Sequence, residues 1–332
     1  MHPLTKLLTR TKIDGFIVAI LATVLLASVF PASAAFAPTL DHLVTAAIAL
    51  LFFLYGARMH PQEAWRGLQH WRLHALILAF TFVVFPVVGI GLRVLQPHLL
   101  SAELYTGVLY LTLVPSTVQS SIAFTSIARG NVAGAIVSAS ASNLLGVFLT
   151  PLLVIAMTSA GLIGGSGSIS ISGQQMVDIC LQILAPFIVG QLARPLVGSF
   201  VEGHQARLKY VDRGSIVLVV YAAFSKGVRQ HIWRAVDPAQ ILFLIALSIV
   251  LVAFMLWLTW QAAERLGFDH GDCVAVQFCG TKKSLASGLP MAAVLFAGHG
   301  VSIIVLPLMV FHQVQLMMCS WLAARYATAP ET

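Results

Sequence analysis

The sequence predicts an all-α, polytopic membrane protein of ten transmembrane helices, arranged as two inverted five-helix repeats whose fourth and ninth helices are broken. Three observations predict it. The chain is 58% hydrophobic and only 9% charged, with mean hydropathy +0.90, whereas soluble domains carry about a quarter charged residues. Ten apolar runs each approach the ~20 residues that one membrane crossing needs. Two of those runs are interrupted by small polar residues at corresponding places. The net charge of +7 does not point to nucleic acid, because the basic residues sit in short loops between apolar runs and so report topology. Cys180, Cys273, Cys279 and Cys319 are scattered, with no CxxC pair. They indicate neither a disulfide frame nor a metal site, and no cofactor is expected.

The first run, 15–33, follows Lys6, Arg10 and Lys12 and precedes Pro31-Ala32-Ser33-Ala34-Ala35. That layout is also the layout of a signal peptide. Nine further apolar runs favour an uncleaved first helix. The next four runs are 41–57, 73–95, 104–128 and 132–158. Gly164-Gly165-Ser166-Gly167-Ser168 then reads as a flexible linker. Beyond it lie 175–197, 210–228, 238–263, 271–297 and 301–323. The whole chain reads as one transporter domain, with repeat one at 14–158 and repeat two at 175–325.

Orientation follows from Lys and Arg. With the N-terminus inside, inner segments hold Lys6, Arg10, Lys12, Arg58, Arg66, Arg72, Arg129, Arg194, Arg207, Lys209, Arg213, Arg265 and Arg325. Outer loops hold only Lys226, Arg229 and Arg234. Both termini are therefore expected in the cytoplasm. The basic outer loop has its own explanation. Trp65-Arg66 recurs as Trp233-Arg234, 168 residues on, and the same offset carries Pro115 to Lys283. An odd number of crossings per half inverts the second copy. Inverted repeats with broken helices at the midplane are a mark of secondary transporters.

The fourth run contains Pro115-Ser116-Thr117-Val118-Gln119-Ser120-Ser121. Proline removes a backbone donor, and the hydroxyls either patch the kink or bind solute. A second break one repeat away favours solute. Half-helix N-termini at such breaks suit an anion. The ninth run contains Cys279-Gly280-Thr281-Lys282-Lys283-Ser284. A lysine near a helix end snorkels to the surface, but these two lie nearer the middle of the run than its ends. A buried lysine without a partner either sheds its proton or holds an anion. Ser138, Ser140, Ser142 and Asn143 in the fifth run read as helix packing. His312, Gln313 and Gln315 in the tenth either line a pathway or are satisfied interior groups. No P-loop, Ser-His-Asp or HExxH pattern appears, so neither ATP-driven transport nor an enzyme is expected.

Together these residues resemble the bile acid:sodium symporter family, within the bile/arsenite/riboflavin transporter superfamily. The motifs that carry the likeness are Pro115 to Ser121 as spelled above, Ala128-Arg129-Gly130-Asn131-Val132-Ala133, and Leu149-Thr150-Pro151-Leu152-Leu153. The branch it looks most like is the bacterial symporter-like one. The resemblance implies a core of 73–158 and 238–323, a panel of 15–57 and 175–228, and fourth and ninth helices that cross in the core. It implies substrate held beside that crossing, alternating access by movement of core against panel, and residence in a bacterial inner membrane.

Substrate contacts are then expected at Pro115, Thr117, Gln119, Lys282, Lys283, Ser284 and His312. The family's sodium sites carry over only as degenerate positions. Ser120 and Ser121 fall where a Ser-Asn pair helps hold one ion, and Ser138 falls at a hydroxyl position. Thr81 falls where a glutamine often serves the second ion. Cys279 stands for a family Glu, Lys283 for a Gln and Ser284 for an Asn. A cation site that loses a carboxylate and gains ammonium groups is not expected to bind sodium. The expectation is transport of an organic anion or amphipathic solute, with a lysine as built-in positive charge and the coupling ion, sodium or proton, left open. Membrane lipid is the other expected partner, and the oligomeric state is not predicted. The alternative is a non-transporting sensor or regulator on the same fold.

Overall fold

The computed structural model describes residues 15–58, 70–96, 98–163, 173–229 and 237–328. Among these, every regular element is helical. We number them α1 (Gly15–Val29), α2 (Ala37–Arg58), α3 (Trp71–Leu95), α4 (Ala102–Leu113), α5 (Gln119–Ile127), α6 (Val132–Ser159), α7 (Gly173–Gly203), α8 (Gln205–Arg229), α9 (Pro238–Arg265), α10 (His270–Thr281), α11 (Leu285–Leu295) and α12 (Val301–Thr328). Lys6, Arg10, Lys12, the two Trp-Arg pairs and the 164–168 linker lie outside the described residues.

All ten predicted runs fall on helices, and the fourth and ninth are each split in two. By length and apolar content alone, six described stretches suffice to cross a membrane: α2, α3, α6, α9, α12 and Leu181–Gly203 of α7. The shortfall from ten has physical reasons. The halves α4, α5, α10 and α11 are each shorter than a crossing, α1 has 15 residues, and the first turns of α8 carry Arg207, Lys209, Asp212 and Arg213.

Two compact groups of helices form. One lies within Met1–Arg58 and Ala185–Ala235 and the other within Met59–Leu184 and Val236–Thr332. In the first, α2 and α7 approach as closely as their glycines allow. A Cβ on Gly56 would collide with the Phe187 carbonyl, and one on Gly190 with the Phe53 carbonyl. Small residues that let backbones touch are how helices associate without a hydrophobic drive. Arg58 and Asp212 pair at 2.5 Å in the same group.

In the second group, α4 and α10 are built alike. Each has 12 residues, and each starts 168 positions from the other. Ser101 caps α4 by accepting from the Leu104 N–H, and Asp269 caps α10 by accepting from the Asp272 N–H. Both end in an extended residue, Val114 (ψ 154°) and Lys282 (ψ 151°). Between α5 and α6, Arg129 takes a left-handed φ of 56°. Asn131 then caps α6 through the Gly134 N–H, and its amide donates to Asp272 at 2.6 Å. The Ala-Arg-Gly-Asn motif thus ties the loop after the first broken helix to the start of the second.

Candidate functional site

A broken helix leaves backbone groups without partners, and at membrane depth each must find one. The two breaks in the second group solve this mutually. Val114 precedes proline and is extended, as that position favours. The Leu113 carbonyl accepts from Thr150 at 2.9 Å, the Pro115 carbonyl from the Ser284 N–H at 2.8 Å, and the Ser116 carbonyl from Asn143 at 2.7 Å. The Ser116 N–H donates to Ser142, and its hydroxyl donates to the Cys279 carbonyl at 2.6 Å. On the other break, Gln315 brackets Lys283: its amide oxygen accepts from the Lys283 N–H and its NH2 donates to the Lys283 carbonyl, both at 2.8 Å. Ser284 caps α11 through the Ser287 N–H. The Ser287 hydroxyl donates to the Asn143 side-chain oxygen, so Asn143 joins both breaks. A Cβ on Gly146 would lie 2.6 Å from that of Pro115, so α6 reaches the first break only as glycine.

Lys282 and Lys283 are both fully buried. The backbone is extended at Lys282, and consecutive side chains of an extended segment point opposite ways. The Lys283 Nζ donates to the carbonyls of Thr81, Thr112 and Val114, at 2.8, 2.7 and 2.9 Å, and lies 4.4 Å from the Phe85 ring centre. All three of its N–H groups are therefore engaged by backbone. The Lys282 Nζ goes the other way. It sits 3.7 Å from the Phe124 ring centre and 5.8 Å from that of Phe278, and it has no hydrogen-bond partner among the described residues. Neither lysine makes an ion pair there.

The other expected contacts divide. Pro115, Thr117, Lys282, Lys283 and Ser284 come together at the breaks, while Gln119 is exposed. His312 lies half-buried, its Nδ1 2.8 Å from the Gln315 amide and 3.4 Å from the Lys283 carbonyl. The positions expected as degenerate ligands of the two ions each meet protein partners. Thr117 shares hydrogen bonds with Ser120 and Ser121 at 2.8 and 3.0 Å. Ser138 meets His74 at 2.6 Å. The Thr81 hydroxyl bonds to Ile77 in its own helix, and the Cys279 thiol turns to the Ala135 carbonyl. No group of His, Cys, Asp and Glu suited to a metal occurs among the described residues. Sequence reasoning did not single out Phe85 and Phe124, because an aromatic beside Pro86 or in an apolar half-helix carries no signal of its own. Asn143 stood out only as a packing residue, although its amide between two breaks is the signal.

Residues 14–328 match the model of the SBF-like CPA transporter family. An uncharacterised protein of Pseudomonas aeruginosa is 49% identical over 95% of this chain and 93% of its own. The provisionally named symporter YfeH of Escherichia coli is 46% identical over 96% of this chain and 94% of its own. The sodium/bile acid cotransporter 7 of Xenopus tropicalis is 27% identical over 95% and 92%. The chain belongs to the SBF-like CPA transporter family, a multi-pass membrane family of sodium/bile acid symporter-like transporters.

Proposed function

We propose that this member of the family is a secondary active transporter, not an enzyme, that moves an organic anion or amphipathic solute across a bacterial inner membrane without bound sodium. The observation that carries the reading is the Lys282 Nζ, fully buried and without a hydrogen-bond partner among the described residues. A buried unpaired charge is costly, and in a membrane segment it marks a substrate or ion path. An anion relieves that cost. The start of α5 adds to the attraction: no side chain caps it, its N–H groups carry the positive end of the helix dipole, and Thr117, Ser120 and Ser121 bring hydroxyls there. A relative named for sodium/bile acid cotransport favours an amphipathic anion as the solute class. Cys279 in place of a carboxylate, with two ammonium groups after it, argues against the same ion coupling.

Ten crossings in two inverted repeats, with both termini cytoplasmic, complete the reading. The matched caps and breaks of α4 and α10 support the repeat, and the Lys and Arg placement supports the orientation.

The test is thermal stabilisation of the purified protein by a panel of organic anions, then uptake of any stabilising anion into liposomes in sodium-free buffer. Saturable stabilisation and sodium-free uptake, both lost in Lys282→Gln, are expected. Uptake that requires sodium overturns the sodium-free mechanism. Stabilisation without flux in any salt replaces transporter with sensor or regulator.

A further inference from the structure

We infer that the carbonyls of Thr81, Thr112 and Val114, closed by the Phe85 ring, form a monovalent-cation site that the Lys283 ammonium occupies as a tethered ion. Each oxygen is released by its own device. Residues Phe80–Val84 form a π turn, in which the Phe85 N–H donates to the Phe80 carbonyl rather than to Thr81. The next π-register donor for Thr81 would be residue 86, which is proline and has no N–H. Two unrelated features, the π turn and Pro86, thus leave the same oxygen without a backbone partner. Thr112 would accept from the Ser116 N–H if α4 continued, but that N–H donates to Ser142. Val114 is past the end of α4. Thr112 and Val114 therefore present the negative end of the α4 dipole, which suits a cation.

Three oxygens at 2.7–2.9 Å from one point are wider set than the about 2.3–2.6 Å of calcium or the about 2.0–2.1 Å of magnesium. No carboxylate pairs with Lys283 among the described residues. Neutral carbonyl dipoles with an aromatic face suit a weakly hydrated single charge. The site is thus a cation cage whose ion is covalently supplied. The inference does not rest on transport, and it holds equally for a sensor on this fold.

Lys283→Ala opens the cage, whereas Lys283→Met fills it with an apolar chain. Each full-length variant is purified in detergent. Its thermal midpoint is measured in choline chloride, then with choline replaced stepwise by sodium, potassium or ammonium at constant ionic strength. Both variants are expected to melt several degrees below wild type in choline. Lys283→Ala should regain most of that loss, saturably, in at least one small cation, while wild type and Lys283→Met respond alike to all four salts. An equal response of Lys283→Ala to every salt, including failure to fold in all of them, overturns the inference. So does a Lys283→Met protein as stable as wild type. A second variant needs no ion: Pro86→Ala added to Lys283→Met supplies an N–H for the Thr81 oxygen. The double variant should melt above Lys283→Met, and no gain contradicts the assignment of Thr81 to the cage.

Discussion

Lys282 and Lys283 are neighbours in sequence and equal in burial, yet their surroundings are opposites. Around Lys283, three carbonyls and a ring face converge until no N–H is left. Around Lys282 there are two rings and the thiols of Cys279 and Cys319, and its Nζ has no hydrogen-bond partner among the described residues. The extended backbone at the break sends one side chain toward α3 and α4 and the other toward α5 and α10. The difference teaches that a buried charge has no fixed meaning. One side chain completes the structure as a donor to orphaned carbonyls, and its neighbour lies against ring faces with no hydrogen-bond partner among the described residues.

The contrast can be broken by experiment. The largest effect is expected from Lys283→Met, which strands three buried carbonyls at about 1–3 kcal/mol each. A loss of about 3 kcal/mol or more should appear in thermal or denaturant unfolding, and a near-wild-type midpoint would erase the distinction between the two lysines. Asn143→Ala removes the amide that serves Ser116 and Ser287 together. Its expected cost is about 2 kcal/mol, and a double-mutant cycle with Ser287→Ala should be non-additive if Asn143 couples the breaks. Gly146→Ala presses a methyl on Pro115 and should cost about 1–2 kcal/mol, a check that the first break is rigid. Lys282→Met should have the smallest effect on unfolding, near zero or slightly stabilising, since it removes a buried polar group that has no hydrogen-bond partner among the described residues. It should nevertheless abolish stabilisation by organic anions. A Lys282→Met protein that is badly destabilised would make both lysines structural.

The helices, their order and both breaks were legible, because apolar runs and the Pro115 and Lys282-Lys283 interruptions are written in residue types. The capping of α6 by Asn131 could be read from its place before Val132, but the bond to Asp272 could not. What surrounds the lysines was less legible for a simple reason: most of it is backbone. Thr81 draws notice only through the family resemblance; its hydroxyl serves its own helix, while its carbonyl, common to every residue, meets Lys283. A π turn has no residue signature, and Pro86 alone reads as an ordinary kink. Gln315 was noticed as a polar residue in an apolar helix, yet nothing in the sequence places it across the Lys283 peptide.

The π turn in α3 also has a consequence for chain length. Such a turn holds one residue more than the regular spiral accommodates. Deleting Phe80 would let α3 close into an uninterrupted α-helix, with the Phe85 N–H free to claim the Thr81 oxygen that Lys283 now holds, whereas deleting any of residues 82–84 would bring Pro86, which has no N–H, into that register. The helix beyond the bulge would keep its face, because the bulge is what absorbs the extra residue, so the change would fall on the Thr81 carbonyl itself. The surplus residue and the lysine, 202 positions apart, are thus a lock and its key: a homologue that drops one is expected to drop the other.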